Sequence, residues 1–165
     1  KVVALGLYDG PLHQAVAKIK EPAGRVLAAA LAQLMLRTRG EQLKALEADL
    51  GVPVPMFWAK RFWRGFNTTE LLAERLARGL GLPVRHALVR NRNTLPQRSL
   101  RPRERFANVR GAFTARRIRN LQGKSILLID DVLTTGATCS EAARTLLRAG
   151  AARVVVAVLA RGQGN

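Results

Sequence analysis

Two continuous apolar runs, SILLI at 125–129 and RVVVAVLA at 153–160, constrain this chain more than any other feature. Runs without polar alternation suit strands that are covered on both faces, as in a parallel sheet. Between them, Thr138 and Glu141 offer a capping box, Leu146 and Leu147 an apolar face, and Gly150 a stop. Strand, helix and strand in this span predict a βαβ unit, with parallel strands and a right-handed crossover. The expected class is therefore α/β, with a mainly parallel twisted sheet flanked by helices.

The rest of the chain adds elements around that unit. VVALGLY (2–8) reads as a short strand. Leu12, Val16 and Ile19 have helical spacing within 11–20, and Pro22 interrupts it. A longer helix is expected from Gly24 to Arg39, closed by Gly40. LGVPVP (50–55) reads as a strand that its two prolines end in an unusual turn. Asn67 caps a helix over 67–83, with Glu70 in capping-box position and a stripe of Leu72, Leu76 and Leu80. A strand near 84–90, a loop rich in arginine, and a short strand beginning at 111–113 complete the reading. Nothing repeats and no linker divides the chain, so residues 1–165 read as one domain.

Charge narrows the partners. The chain carries 28 Lys and Arg against 11 Asp and Glu, a formal charge of +17. Such an excess attracts polyanions, among them nucleic acid, nucleotides and phosphates. Segment 90–119 holds ten arginines against one acid, a net of +9. A single cysteine, Cys139, makes neither an internal disulfide nor a cysteine zinc cluster. It falls in the first turn of a helix, where the dipole lowers a thiol pKa, but a small packed residue is the expected role. His13 and His86 are isolated and read as structural or surface residues, not catalytic ones. No apolar run reaches the length of a membrane span, and KVVALGLYDG lacks the pattern of a signal peptide. A cytoplasmic protein without membrane insertion is expected.

In open α/β sheets, ligands bind beyond the carboxyl ends of the strands. There the chain places Asp130 and Asp131, then Thr134, Thr135, Gly136, Ala137 and Thr138 at a helix start. Free N–H groups at a helix N-terminus hold anions, and Gly136 lets the backbone come close. Ala137 stands where a Walker loop would have its lysine, so this is a different kind of phosphate cradle. Carboxylates repel phosphate but accept hydrogen bonds from sugar hydroxyls. A ribose 5-phosphate satisfies both halves.

The segment LLIDDVLTTGAT (127–138) resembles the phosphoribosyl-pyrophosphate (PRPP) signature of type I phosphoribosyltransferases. The whole chain resembles the ComF family of competence-associated proteins. The resemblance rests on YDGPL (8–12), VPVP (52–55), RGFN (64–67), LLAERLARGLGLP (71–83), RNRNTLPQRSL (90–100) and ERFANVRGAF (104–113). It implies a type I phosphoribosyltransferase-like fold with a basic hood. By similarity, Asp130 and Asp131 bind the ribose hydroxyls of PRPP, and residues 134–138 its 5-phosphate. Lys60, Arg61 and Arg64 would line a pyrophosphate loop, with Trp58, Phe62 and Trp63 interleaved. Arg90, Arg92, Arg103 and Arg105 are hood candidates. Mg²⁺ is the implied cofactor, reached through PRPP, with water-mediated help from Asp130 and Asp131.

The chain also departs from that family. Residues 1–165 do not include the cysteine-rich zinc segment that family members commonly carry before this domain, and Phe57 and Thr68 replace a frequent histidine and glutamine. Thr134 stands where purine-salvage enzymes place an aspartate, which argues against purine salvage. No general base is identifiable. Three readings remain open: a Mg²⁺-dependent phosphoribosyltransferase of unknown acceptor, a non-catalytic competence protein of DNA uptake, and a PRPP-sensing regulator. The second would bind single-stranded DNA or a helicase partner.

Overall fold

The computed structural model describes residues 1–56, 67–94, 101–116 and 121–162, without the side chains of Pro102 and Arg103. Strand β1 (Val2–Leu7) leads to helix α1 (Gly10–Lys18), a 3₁₀ turn (Pro22–Gly24) and the long helix α2 (Arg25–Lys44). Strand β2 (Leu50–Pro53) precedes helix α3 (Thr68–Gly79), strand β3 (Leu88–Arg90), helix α4 (Pro102–Val109) and strand β4 (Phe113–Ala115). The βαβ unit closes the chain as β5 (Ser125–Leu133), α5 (Ala137–Arg148) and β6 (Arg153–Arg161).

The main sheet has the order β1-β6-β5-β2 and is parallel throughout. β5 and β6 are central, as their unbroken apolar runs require. Their residues alternate between two cores. Leu127, Ile129, Val155, Ala157 and Leu159 face α1, α2 and α3, meeting Val16, Met35, Leu72 and Leu76. Ile126, Leu128, Val156 and Val158 face the other way, onto Cys139, Ala142 and Leu146 of α5 and onto Leu88 and Phe113. β3 and β4 form a separate antiparallel pair on that second side. The class expected from sequence is thus the class observed.

Several boundaries differ from expectation. α2 runs through Gly40 to Lys44, because Leu43 and Leu46 beyond it are buried. Their burial outweighs the roughly 1 kcal/mol that a helical glycine costs. α3 ends at Gly79, and Asn67 caps it by accepting from the Thr69 N–H at 3.1 Å. The region 84–90 is a single bridge from Val84 to Gly51 followed by β3. The arginine-rich segment is not a plain loop: it holds α4, started by Pro102, with the Glu104 carboxylate accepting from the Arg101 N–H at 2.9 Å. Thr138 and Glu141 do not cap α5, whose N-cap residue is Gly136. The Glu141 carboxylate instead accepts from the Gly111 N–H at 2.8 Å and pairs with Arg144. Leu147 is exposed, whereas Leu146 is buried in the second core. Among the described residues, no helix is long and apolar enough to cross a membrane.

Candidate functional site

The carboxyl end of β5 carries the two aspartates into a crowded polar setting. Asp130 Oδ1 accepts from the Asp131 N–H at 2.9 Å, and Cys139 Sγ lies 3.7 Å from Oδ2. Burial, reinforced by the charge of Asp131, pushes the Asp130 carboxyl up to about 7. The Arg90 guanidinium lies within electrostatic reach of it. Arg90 stacks 5.6 Å from the centre of the Phe113 ring and donates to Thr94, while burial lowers its pKa. Its Nε has no hydrogen-bond partner among the described residues. Asp131 pairs with Lys20 at 2.9 Å.

The loop after β5 is fixed from both sides. Gly162 N–H donates to the Leu133 carbonyl at 2.7 Å, tying the end of β6 to the end of β5. Gly136 has φ of +77°, the left-handed conformation that turns the chain into α5. Its carbonyl accepts from the Ser140 N–H at 2.8 Å. The N–H groups of the first turn of α5 therefore have no carbonyl behind them within the helix. A shallow pocket opens there, lined by Val132, Leu133, Thr134 and the residues from Gly136 to Cys139. Thr135 Oγ1 is buried with no partner among the described residues.

Gly136→Ala tests the turn alone. An added Cβ meets nothing closer than Ser140 Oγ at 3.9 Å, so the strain is purely conformational. We expect a loss of about 1–2 kcal/mol in thermal or urea unfolding.

The structure gathers most, but not all, of the residues read from sequence. Asp130, Asp131 and residues 134–138 share one end of the sheet. Arg105 joins them, its Nη1 lying 3.3 Å from Thr134 Oγ1. Arg90 reaches the acidic side, whereas Arg92 donates to the Asn108 carbonyl at 3.0 Å. Arg103 lies on α4 and its side chain is outside the description. Lys60, Arg61 and Arg64, with Trp58, Phe62 and Trp63, lie outside the described residues. Cys139 is a packed residue: burial and the neighbouring Asp130 raise its thiol pKa, overriding the helix dipole. His13 rests against the Tyr8 ring, and His86 lies 3.9 Å from Glu70. Lys20 is the residue that sequence reasoning missed, because its partner is on a distant strand.

This arrangement, with a strand-end acidic pair, a left-handed glycine and a helix start, coincides with a recognised domain. The family described as phosphoribosyl transferase domain matches residues 69–164. The chain belongs to that family. This phosphoribosyl transferase domain is similar to the DNA utilization protein YhgH of Escherichia coli K12, at 38% identity over 98% of this chain and 72% of that one. It is similar to competence protein F of Haemophilus influenzae at 32% identity over the same shares. Competence protein ComFC of Bacillus subtilis matches at 39% over 63% of this chain and 40% of that one. Among solved structures, the glutamine PRPP amidotransferase of B. subtilis, complexed with ADP and GMP, aligns with a TM-score of 0.56. That alignment covers 89% of this domain and 30% of the larger chain at 24% identity, and it shows a shared fold.

Proposed function

We propose that this domain binds PRPP, or a related ribose 5-phosphate ligand, together with Mg²⁺, in the service of DNA uptake or utilization. One observation carries the reading: the Asp130 and Asp131 carboxyl groups and the start of α5, entered through the left-handed Gly136, share one end of the sheet. Hydroxyls suit Asp130 and Asp131, and the 5-phosphate suits residues 134–138. The names of the relatives supply the setting.

The donor chemistry fits a hard cation, since Asp130 and Asp131 offer oxygen ligands. No cluster of three or more His, Cys, Asp or Glu occurs among the described residues, so ligand oxygens and water would complete the coordination. Bound there, Mg²⁺ would neutralise pyrophosphate oxygens. The domain's own residues would hold the sugar by its hydroxyls, fix the phosphate at α5 and bring Arg105 against the same loop. If transfer takes place, C1′ of the ribose gains a bond to the acceptor as its bond to pyrophosphate breaks. Such catalysis rests on positioning and charge neutralisation.

Calorimetry with PRPP, with and without Mg²⁺, tests this. We expect saturable binding, weakened about tenfold or more in Asp131→Asn through loss of a charge-assisted acceptor. Absence of PRPP binding, or an unchanged Asp131→Asn, overturns it. The net charge of +17 and the relatives named for DNA utilization favour a second reading, binding of single-stranded DNA. A labelled oligonucleotide should then bind with steep salt dependence in place of PRPP.

A further inference from the structure

The Lys20–Asp131 pair joins elements that nothing in local sequence brings together. Lys20 follows α1, whereas Asp131 ends β5, yet Nζ and Oδ2 are 2.9 Å apart. Neither group is simply on the surface: their side chains are 33% and 19% exposed. The backbone under Lys20 is held at several points. Its N–H donates to the Ala17 carbonyl at 3.2 Å, and Thr68 Oγ1, buried at the start of α3, donates to the Ile19 carbonyl at 3.2 Å. Gly24 packs against the backbone of Lys18 and Ile19, so closely that a Cβ would lie 2.5 Å from the Lys18 carbonyl oxygen. A lysine merely decorating a surface does not need such a seat.

The position relative to the sheet says which part of a ligand the ammonium meets. α1 and α3 cover one face of the sheet, while α5 and its phosphate loop cover the other. The two aspartates stand between. A ribose held by its hydroxyls on Asp130 and Asp131, with its 5-phosphate at α5, directs its C1′ substituent toward the Lys20 side. In PRPP that substituent is a diphosphate. An ammonium has three donors, and one serves Asp131. The others suit anionic oxygens, and the partial exposure leaves them within reach.

Building on the PRPP reading above, we propose that Lys20 is a ligand-binding residue, its ammonium joining Asp131 to the diphosphate end of the ligand. It thereby adds a protein cation at the place where Asp131 would otherwise repel the diphosphate. Lys20 discriminates ligands that carry the diphosphate from those that lack it.

Titration calorimetry of the full chain with PRPP and with ribose 5-phosphate, which lacks the diphosphate, tests this in wild type, Lys20→Met and Lys20→Arg. We expect Lys20→Met to weaken PRPP binding about tenfold or more and to leave ribose 5-phosphate within about threefold. Lys20→Arg keeps the charge and should recover most of the PRPP affinity. Equal weakening of both ligands overturns the proposal, since Lys20 would then act only by orienting Asp131. Unchanged PRPP binding in Lys20→Met also overturns it and leaves the site reading intact. A wild-type chain that binds neither ligand overturns the site reading itself. Melting curves of each variant confirm that the comparison is between folded proteins.

Discussion

Asp130→Asn should raise the melting temperature at about pH 8 while weakening ligand binding about tenfold to a hundredfold. Both effects come from one buried charge. Burial and the adjacent Asp131 raise the Asp130 pKa to about 7. The folded protein therefore keeps a proton on this group that the unfolded chain has already lost between about pH 4 and 7. Stability from this group is present at the acid end of that window and is lost as pH rises through the folded value. Above it, the native state carries a desolvated carboxylate beside another carboxylate. Asparagine has nearly the same shape, and its Oδ1 can still accept from the Asp131 N–H. Removing the charge should contribute about 1–3 kcal/mol at pH 8, and each kcal/mol shifts the melting point of a domain this size by about 2–4 °C. Differential scanning calorimetry across pH checks this, because the gap between variant and wild type should close near about pH 4. In the wild type, PRPP binding should strengthen as pH rises through about 7, and Asp130→Asn should lose that dependence. A variant less stable than wild type at pH 8 would contradict the assignment of a buried, repelled charge.

Gly24→Ala should be among the most damaging single-methyl additions possible in this chain. The new Cβ would stand 2.5 Å from the Lys18 carbonyl oxygen and 2.6 Å from both the carbonyl carbon and Cα of Ile19. All three are backbone atoms, so no rotamer change relieves the collision. The chain must instead pull the end of α1 away from the 3₁₀ turn, at a cost of about 3 kcal/mol or more. Ile19 is fully buried against the first core, so the shift also loosens packing. Lys20 moves with it, which separates the ammonium from Asp131. Urea unfolding should show the lower midpoint. Gly40→Ala supplies the contrast. Gly40 lies inside α2, and a Cβ there meets nothing within 4 Å. That substitution should stabilise by about 0.5–1 kcal/mol through helix propensity.

The parts of this molecule that could be read from sequence are those whose cause is local. β5 and β6 announce themselves because strands buried on both faces carry no polar interruption. The turn into α5 was legible because a glycine needed for a left-handed turn sits between a strand end and a helix start. α4 carried readable signs too, with Pro102 at its first turn and Glu104 three residues after Arg101. The density of arginine masked them. The end of α2 was hidden for a different reason: Gly40 looks like a stop until Leu43 and Leu46 are seen to be buried. Glu141 was misread because its carboxylate serves Gly111 on another element instead of its own helix end. Lys20 could not be found at all, as its meaning depends on a contact across the fold.

The strand order has a consequence for how the chain is made. Among the described residues, β1 pairs with β6 alone in the main sheet, from Val2 against Val156 to Leu7 against Arg161. Synthesis therefore releases the first strand of the sheet long before its neighbour exists. Until β6 leaves the ribosome, β1 presents an apolar strand with no hydrogen-bonded partner, and β5 lacks one of its two. Pairing of β1 waits for β6, a non-local ordering of the kind that slows folding and lengthens exposure to aggregation. Interrupting translation ahead of β6 should leave a nascent chain that chaperones hold and proteases cut.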